Sequence, residues 1–399
     1  MRILFVSPRQ CWPPVSGAKL REYYFLRALA RHAAVTYVFF SQPEGPPPGA
    51  ADLAFCESVA PVPAPKLYTA GKIVRGLLGR WPLPAVNYAS REMQAALARI
   101  LASAKFDLVH VDYVNMAPYE GILRRGAAPL VYNWHNIESE LMRRYSQNTE
   151  SAPRKIYAAW TARRLAALEK RLLRNAFGHI VCSERERVQL QRLAPQARIE
   201  VIENGVDVAR FRNDGDRVTR RTRIVFVGSM SYHANIEAAV DFTRSTWPAI
   251  SERFPGWRLT LVGSKPAPAV LALRNVRNVE VTGTVEDVRP YYREALAAVA
   301  PLRTGGGTRL KILEAMAAGV PVVSTKLGAE GLSVNPGQDL MIAERSEEWL
   351  AALSSLAGDA QLWERYAAAG EDLVRQHYDW EMLGQRLFDT YARWLAAAR

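Results

Sequence analysis

Short apolar runs alternate with amphipathic stretches from the first residue onward. Residues 2–7 form such a run, closed by Pro8, and residues 20–31 follow with helical character. Residues 35–40 (VTYVFF) are β-branched and aromatic, the composition of a second buried strand. Proline and glycine crowd residues 43–65, which predicts loop. Residues 66–78 place Leu67, Ala70, Ile73, Val74, Leu77 and Leu78 between Lys66, Lys72 and Arg75, the pattern of an amphipathic basic helix. Strand-like runs return at 106–111, 130–134, 179–182 and 199–202, with a long helix ending over 169–174.

A polar segment over residues 207–222, with Asn213, Asp214, Gly215 and Asp216 and a run of arginines, breaks this rhythm. The alternation then restarts with apolar runs at 224–228, 259–263, 279–282, 298–301 and 320–324. Residues 380–395 carry Leu383, Leu387, Phe388, Tyr391 and Leu395 on one helical face. Strand and helix in turn predict an α/β chain of two doubly wound parallel sheets. The expected division is a first domain over 1–207, a second over 208–378 and a terminal helix over 379–399.

Composition narrows the classes. At 399 residues, 49% apolar and 23% charged, the chain is ordinary globular material and longer than one core usually supports. No apolar run approaches a membrane span. The first residues are too short a run, with no small-residue cleavage site, for a secretory leader. Cys11, Cys56 and Cys182 are odd in number and widely spaced, which suits a reducing cytoplasm and predicts neither disulfides nor a zinc site.

The net charge of +13 is concentrated. Residues 141–175 hold Arg143, Arg144, Arg154, Lys155, Arg163, Arg164, Lys170, Arg171 and Arg174 against Glu150 and Glu169 alone. Such a stretch suits an anionic membrane, a nucleic acid or a phosphorylated substrate, or is a solvated helix face. Motifs of nucleic-acid readers are not found, so a nucleic-acid partner is not expected.

The richest chemistry follows Pro301. Gly305, Gly306 and Gly307 lead into Thr308, Arg309, Lys311 and Glu314. Glycines admit close backbone approach to an anion, and a helix start offers free N–H groups and a positive dipole end. Arg309 and Lys311 set further positive charge there, unfavourable unless an anion such as a diphosphate binds. The plainer alternative is a tight turn with Lys311 and Glu314 paired at i, i+3.

The segment from Glu314 to Thr325 (EAMAAGVPVVST) resembles the nucleotide-binding segment of family 4 retaining glycosyltransferases, whose fold is called GT-B. Asn204-Gly-Val-Asp207, Phe226-Val-Gly228, Thr282-Gly-Thr-Val-Glu-Asp287 and the loop ending at Gly17 are similar to other motifs of that family. The resemblance implies two Rossmann-like domains facing across a cleft, with the terminal helix crossing back to the first. It implies that the first domain takes the acceptor and the second the nucleotide sugar, and that Glu314 grips the ribose. Gly17, Gly228, Ser229, Val285, Gly306, Gly307 and Thr308 would complete the donor contacts. His135, just past a strand, would sit beside the donor sugar, though a strand-end histidine is more often structural. Asp112 and Asn136 are candidate acceptor contacts, Asp112 being equally readable as a cap.

Two positions depart from the family. Gly306 stands where it has a glutamate holding the donor sugar. The loop from Ser229 to Asn235 lacks its arginine and lysine, so Arg309 and Lys311 are expected to supply the phosphate charge. The resemblance implies a metal-independent, hexosyltransferase-type reaction with retention, from a nucleoside diphosphate sugar to a glycan or polyprenyl-linked acceptor. It further implies a place in bacterial exopolysaccharide or cell-surface glycan synthesis, in the cytoplasm or at the inner face of its membrane. Nucleotide-sugar epimerases share the fold, and a non-catalytic scaffold of a glycan-assembly complex is the other alternative.

Overall fold

In the computed structural model, residues 1–41, 52–212, 221–305 and 309–398 are described. The chain divides into two compact units, Met1–Glu203 with Leu383–Arg399, and Asn204–Met382.

The first unit is built on β1 (Arg2–Ser7), β2 (Ala34–Ser41), β3 (Ser58–Pro63), β4 (Leu108–Asp112), β5 (Leu130–Asn133), β6 (Gly178–Val181) and β7 (Ile199–Val201). They form one parallel sheet in the order β3-β2-β1-β4-β5-β6-β7. Ile3 is in register with Val35 on one side and Leu108 on the other. β1 and β4 are almost wholly buried, which explains their unbroken apolar runs: helices cover both sheet faces. The order reverses between β1 and β4, the switch point where open α/β sheets bind ligands.

β3 lies inside the segment expected to be loop. Pro61 and Pro63 hid it, because proline cannot donate to a ladder and is excluded from central strands. β3 is an edge strand, where one side of the backbone needs no partner. A second correction concerns the amphipathic helix, which runs only over Ala70–Leu78. Thr69 caps it by accepting the Lys72 N–H, leaving Lys66, Leu67 and Tyr68 outside. Its apolar face is exposed and does not pack into the sheet.

The terminal helix, Trp380–Ala396, packs on the first unit through Leu383, Leu387, Tyr391 and Trp394. Gly384 lies so close to Ala28 that an added Cβ would stand 2.2 Å from the alanine Cβ. The Tyr391 hydroxyl and His110 Nδ1 share a 2.6 Å hydrogen bond, and Arg386 and Arg393 pair with Glu203 and Glu200.

The second unit repeats the plan with β8 (Arg223–Val227), β9 (Arg258–Val262), β10 (Val279–Gly283), β11 (Ala295–Ala300), β12 (Val322–Ser324) and β13 (Met341–Ile342). The parallel order is β10-β9-β8-β11-β12-β13, with its switch point between β8 and β11. Trp247, Trp349 and Trp363 anchor the core. The buried indole N–H groups of Trp247 and Trp363 donate to the carbonyls of Arg277 and Leu296, so both donors stay satisfied under burial.

Candidate functional site

Each unit gathers polar side chains at the carboxyl ends of its strands. In the second unit β8 ends at Val227, and Gly228 follows. The Gly228 carbonyl lies 1.7 Å from where a Cβ on Gly263 would stand, so the turns after β8 and β9 meet backbone to backbone. A Cβ on Gly228 itself would come within 2.9 Å of the Lys311 ammonium. That ammonium donates to Asn235 Oδ1 at 2.7 Å and sits 4.4 Å from the centre of the Phe226 ring. The Asn235 amide in turn donates to the Ser229 carbonyl at 2.8 Å. The cation missing from the Ser229–Asn235 sequence is therefore delivered to that loop from a distant helix.

Arg309 is the residue before the helix Leu310–Ala317, not part of its first turn, and is only 7% exposed. One of its terminal nitrogens, the Tyr232 hydroxyl and the Ala234 methyl all crowd the Cβ direction of Gly305, whose φ is +96°. Burial, with repulsion from Arg309 added, pushes Lys311 down to about 7 in spite of Glu314. Burial also raises Glu314, against the pull of Lys311. The Tyr292 hydroxyl lies 3.5 Å from Glu314 Oε2. Val285 packs half-buried on the apolar cluster that contains Tyr292 and Leu313. The structure thus brings Gly228, Ser229, Arg309, Lys311 and Glu314 into one neighbourhood, while Gly306, Gly307 and Thr308 lie outside the described residues. Asp214 and Asp216, an Asp-x-Asp pair, lie outside them as well.

In the first unit Ser7, Asp112 and Asn133 end β1, β4 and β5. Asp112 is no cap. Its carboxylate accepts from the Asn133 amide at 2.6 Å and from His135 Nε2 at 2.8 Å. Asn133 Oδ1 is held by the buried Arg21 guanidinium at 2.9 and 3.1 Å, and Arg21 also donates to the carbonyls of Ile202 and Glu203. Burial opposes ionisation of Asp112, yet His135 and hydrogen bonds from His110 and Glu22 hold it well below the usual carboxylate range. Glu22 is pushed well up by burial and by Asp112, despite Arg9 at 3.0 Å, and so carries the proton of the pair. Burial lowers His135 as well. A neutral imidazole whose Nε2–H faces a carboxylate keeps Nδ1 as an acceptor.

Beside this chain of bonds stand residues the sequence reading passed over. Tyr113 has φ +79°, a strained value for a side-chain-bearing residue, held by its N–H bond to the Asn133 carbonyl. Arg9 lies 5.3 Å over its ring, and His135 packs edge-on against it. Tyr113 donates to Glu138, whose carboxyl burial pushes up to about 7. Asn136 follows His135 in the same bend, and Gly17 opens the first helix, Gly17–Ala30. The signal for Arg9, Tyr113 and Glu138 is their position in the segments after β1, β4 and β5, which residue type alone does not reveal. Glu22, Asp112 and His135 have donor atoms within 4.8 Å of one another, the spacing of a metal triad. Arg9, Ser7 and Asn133 already occupy those carboxyl groups, so an internal cation and a shared proton balance the charge.

Residues 15–210 match the family described as Glycosyltransferase Family 4, and residues 221–359 match Glycosyl transferases group 1. A glycogen synthase of Mycobacterium tuberculosis is 29% identical over 251 residues, 60% of this chain and 58% of that protein. A phosphatidyl-myo-inositol mannosyltransferase of the same organism is 27% identical over 312 residues, covering 73% of this chain and 75% of its own. The chain matches rather more than half the length of the first of these relatives. The structure of Anabaena HepE in complex with UDP superposes with a TM-score of 0.68 at 16% identity, over 98% of this chain and 100% of the other, a likeness of fold. The family matches cover both parallel-sheet units, and with that fold they place the chain among the family 4, group 1 glycosyltransferases.

Proposed function

We propose that this protein transfers a glycosyl unit from a nucleoside diphosphate sugar, with retention, to a glycan or polyprenyl-linked acceptor at the anionic inner face of the cytoplasmic membrane, in exopolysaccharide or cell-surface glycan assembly. The observation that carries the reading is the buried Lys311 ammonium beside Gly228 and Arg309. Two cations forced together under burial are costly, and a diphosphate relieves both the repulsion and the lost hydration. Glu314 accepts ribose hydroxyls, and the phosphate leaves as charge develops on its oxygen against cations already in place. His135, fixed by Asp112, accepts a hydroxyl proton through Nδ1. The UDP in the HepE structure favours a uridine donor, and the phosphatidyl-inositol named for the mannosyltransferase favours a lipid acceptor.

Incubation with UDP- and GDP-sugars and polyprenyl phosphate acceptors tests this. Transfer with retention is the expected outcome. Interconversion of the donor sugar alone would point to an epimerase, and failure to bind any donor to a scaffold.

A further inference from the structure

Sixteen large apolar side chains are exposed among the described residues, and nine of them come from two short stretches of the first unit. Leu67, Tyr68, Ile73, Val74, Leu77 and Leu78 belong to the helix Ala70–Leu78 and its approach. Ile156, Tyr157 and Trp160 belong to the helix Ala152–Asn175. Leu78 is 84% exposed, Ile156 72% and Trp160 49%. Tyr157, Trp160 and Arg164 recur at i, i+3 and i+7, one stripe of that helix. Arg164 ends the stripe by donating to the carbonyls of Gly76, Leu77, Gly79 and Trp81. The guanidinium thus clamps the end of the shorter helix beside Trp160, and the two apolar faces make one patch.

Charge around the patch is predominantly positive, with Glu150 and Glu92 at its sequence margins the exposed acids. Residues 58–91 include Lys66, Lys72, Arg75, Arg80 and Arg91 and no acid. Arg154, Lys155 and Arg163 flank the second stripe, and the only acid of its helix, Glu169, is buried on Ser139. Lys72 is turned inward to the Asn87 carbonyl at 2.6 Å, so it braces the helix and faces no partner. Among the described residues no helix is long and apolar enough to cross a membrane. A second copy of the chain would bring like charge against like. An aromatic and aliphatic patch ringed by lysine and arginine fits the headgroup boundary of an anionic bilayer.

We infer that the helices Ala70–Leu78 and Ala152–Asn175 form a single membrane-docking face that inserts Leu78, Ile156 and Trp160 into an anionic lipid leaflet. The basic ring gives the attraction and the apolar centre gives depth, so part of the binding survives high salt. Its purpose rests on the lipid-linked acceptor proposed above; its geometry does not.

The test uses the whole chain and vesicles of phosphatidylcholine, with or without about 30% phosphatidylglycerol. The wild type should sediment with the anionic vesicles and retain a bound fraction at high salt. Trp160→Glu with Leu78→Glu should lower partition about ten-fold or more at either salt. The emission lost in Trp160→Phe should be quenched by brominated lipid in the wild type, a readout that needs no charged variant to fold. Equal sedimentation of wild type and double variant, or an unquenched Trp160, overturns the inference. So does wild-type self-association that the double variant abolishes. Nucleoside diphosphate affinity by calorimetry should not change in these variants. A chain that docks on vesicles but turns over no donor keeps this face and loses the proposed function.

Discussion

Lys311 carries the most consequential chemistry of any single residue. It is a buried amine near neutrality, and a bound diphosphate will raise it. Binding at pH 7 to 8 should therefore take up a proton, and affinity should fall as pH rises past about 7. Calorimetry in buffers of different ionisation enthalpy reads this directly; a buffer-independent enthalpy would remove Lys311 from the phosphate site. Lys311→Met should cost the diphosphate far more affinity than the bare nucleoside, whereas Glu314→Ala should weaken both by roughly 1.5–3 kcal/mol, the scale of a charged hydrogen bond. In the first unit His135→Ala should lower turnover about ten-fold or more with nucleotide affinity nearly unchanged. Asp112→Asn should mimic it, because an amide no longer fixes the Nε2–H tautomer. Wild-type turnover in both variants would make the histidine structural. The sequence singled out His135, Lys311 and Glu314 as candidates but not their protonation states, since desolvation depends on neighbours far away in sequence.

The helices and strands that hold these residues make their own predictions. Glu138 opens one helix, Glu169 takes the N–H and hydroxyl of Ser139, and Glu186 takes the Cys182 N–H. Burial pushes all three to about 7 from an ordinary value of 4.5. The native state then binds more protons than the unfolded chain between about 4.5 and 7, so these groups make stability fall as pH rises through that window. Urea unfolding at several pH values should show the slope, and Glu169→Gln should flatten it; an unchanged slope would exclude Glu169 as a source. At the terminal helix, Gly384→Val forces the backbone away from Ala28 and should cost about 1–3 kcal/mol. An undisturbed midpoint would show that the helix docks loosely. The periodic pattern showed this helix in the sequence but not its glycine contact, which needs both partners. β3 escaped because its prolines are forbidden only where both backbone edges must pair.

At the scale of the whole molecule, local pattern and global arrangement part company. Apolar runs of strand length between amphipathic stretches determined two α/β units, because buried parallel strands must be continuously apolar and their covering helices one-sided. The glycines before Arg309 and the segment from Glu314 to Thr325 pointed to the family and to an expected anion site, since close approach and dipole are local properties. Only the tertiary structure decided that Lys311 serves the Gly228 loop, because the residues meet across 83 positions of chain through the sheet's switch point. It alone decided that Arg21, Asn133 and Asp112 line up behind His135. The sequence likewise showed one amphipathic basic helix over 66–78 and a basic stretch over 141–175, without saying whether their apolar residues look inward or outward. Arg164 joins them and the sheet leaves them bare, and both facts arise from packing that no local pattern encodes.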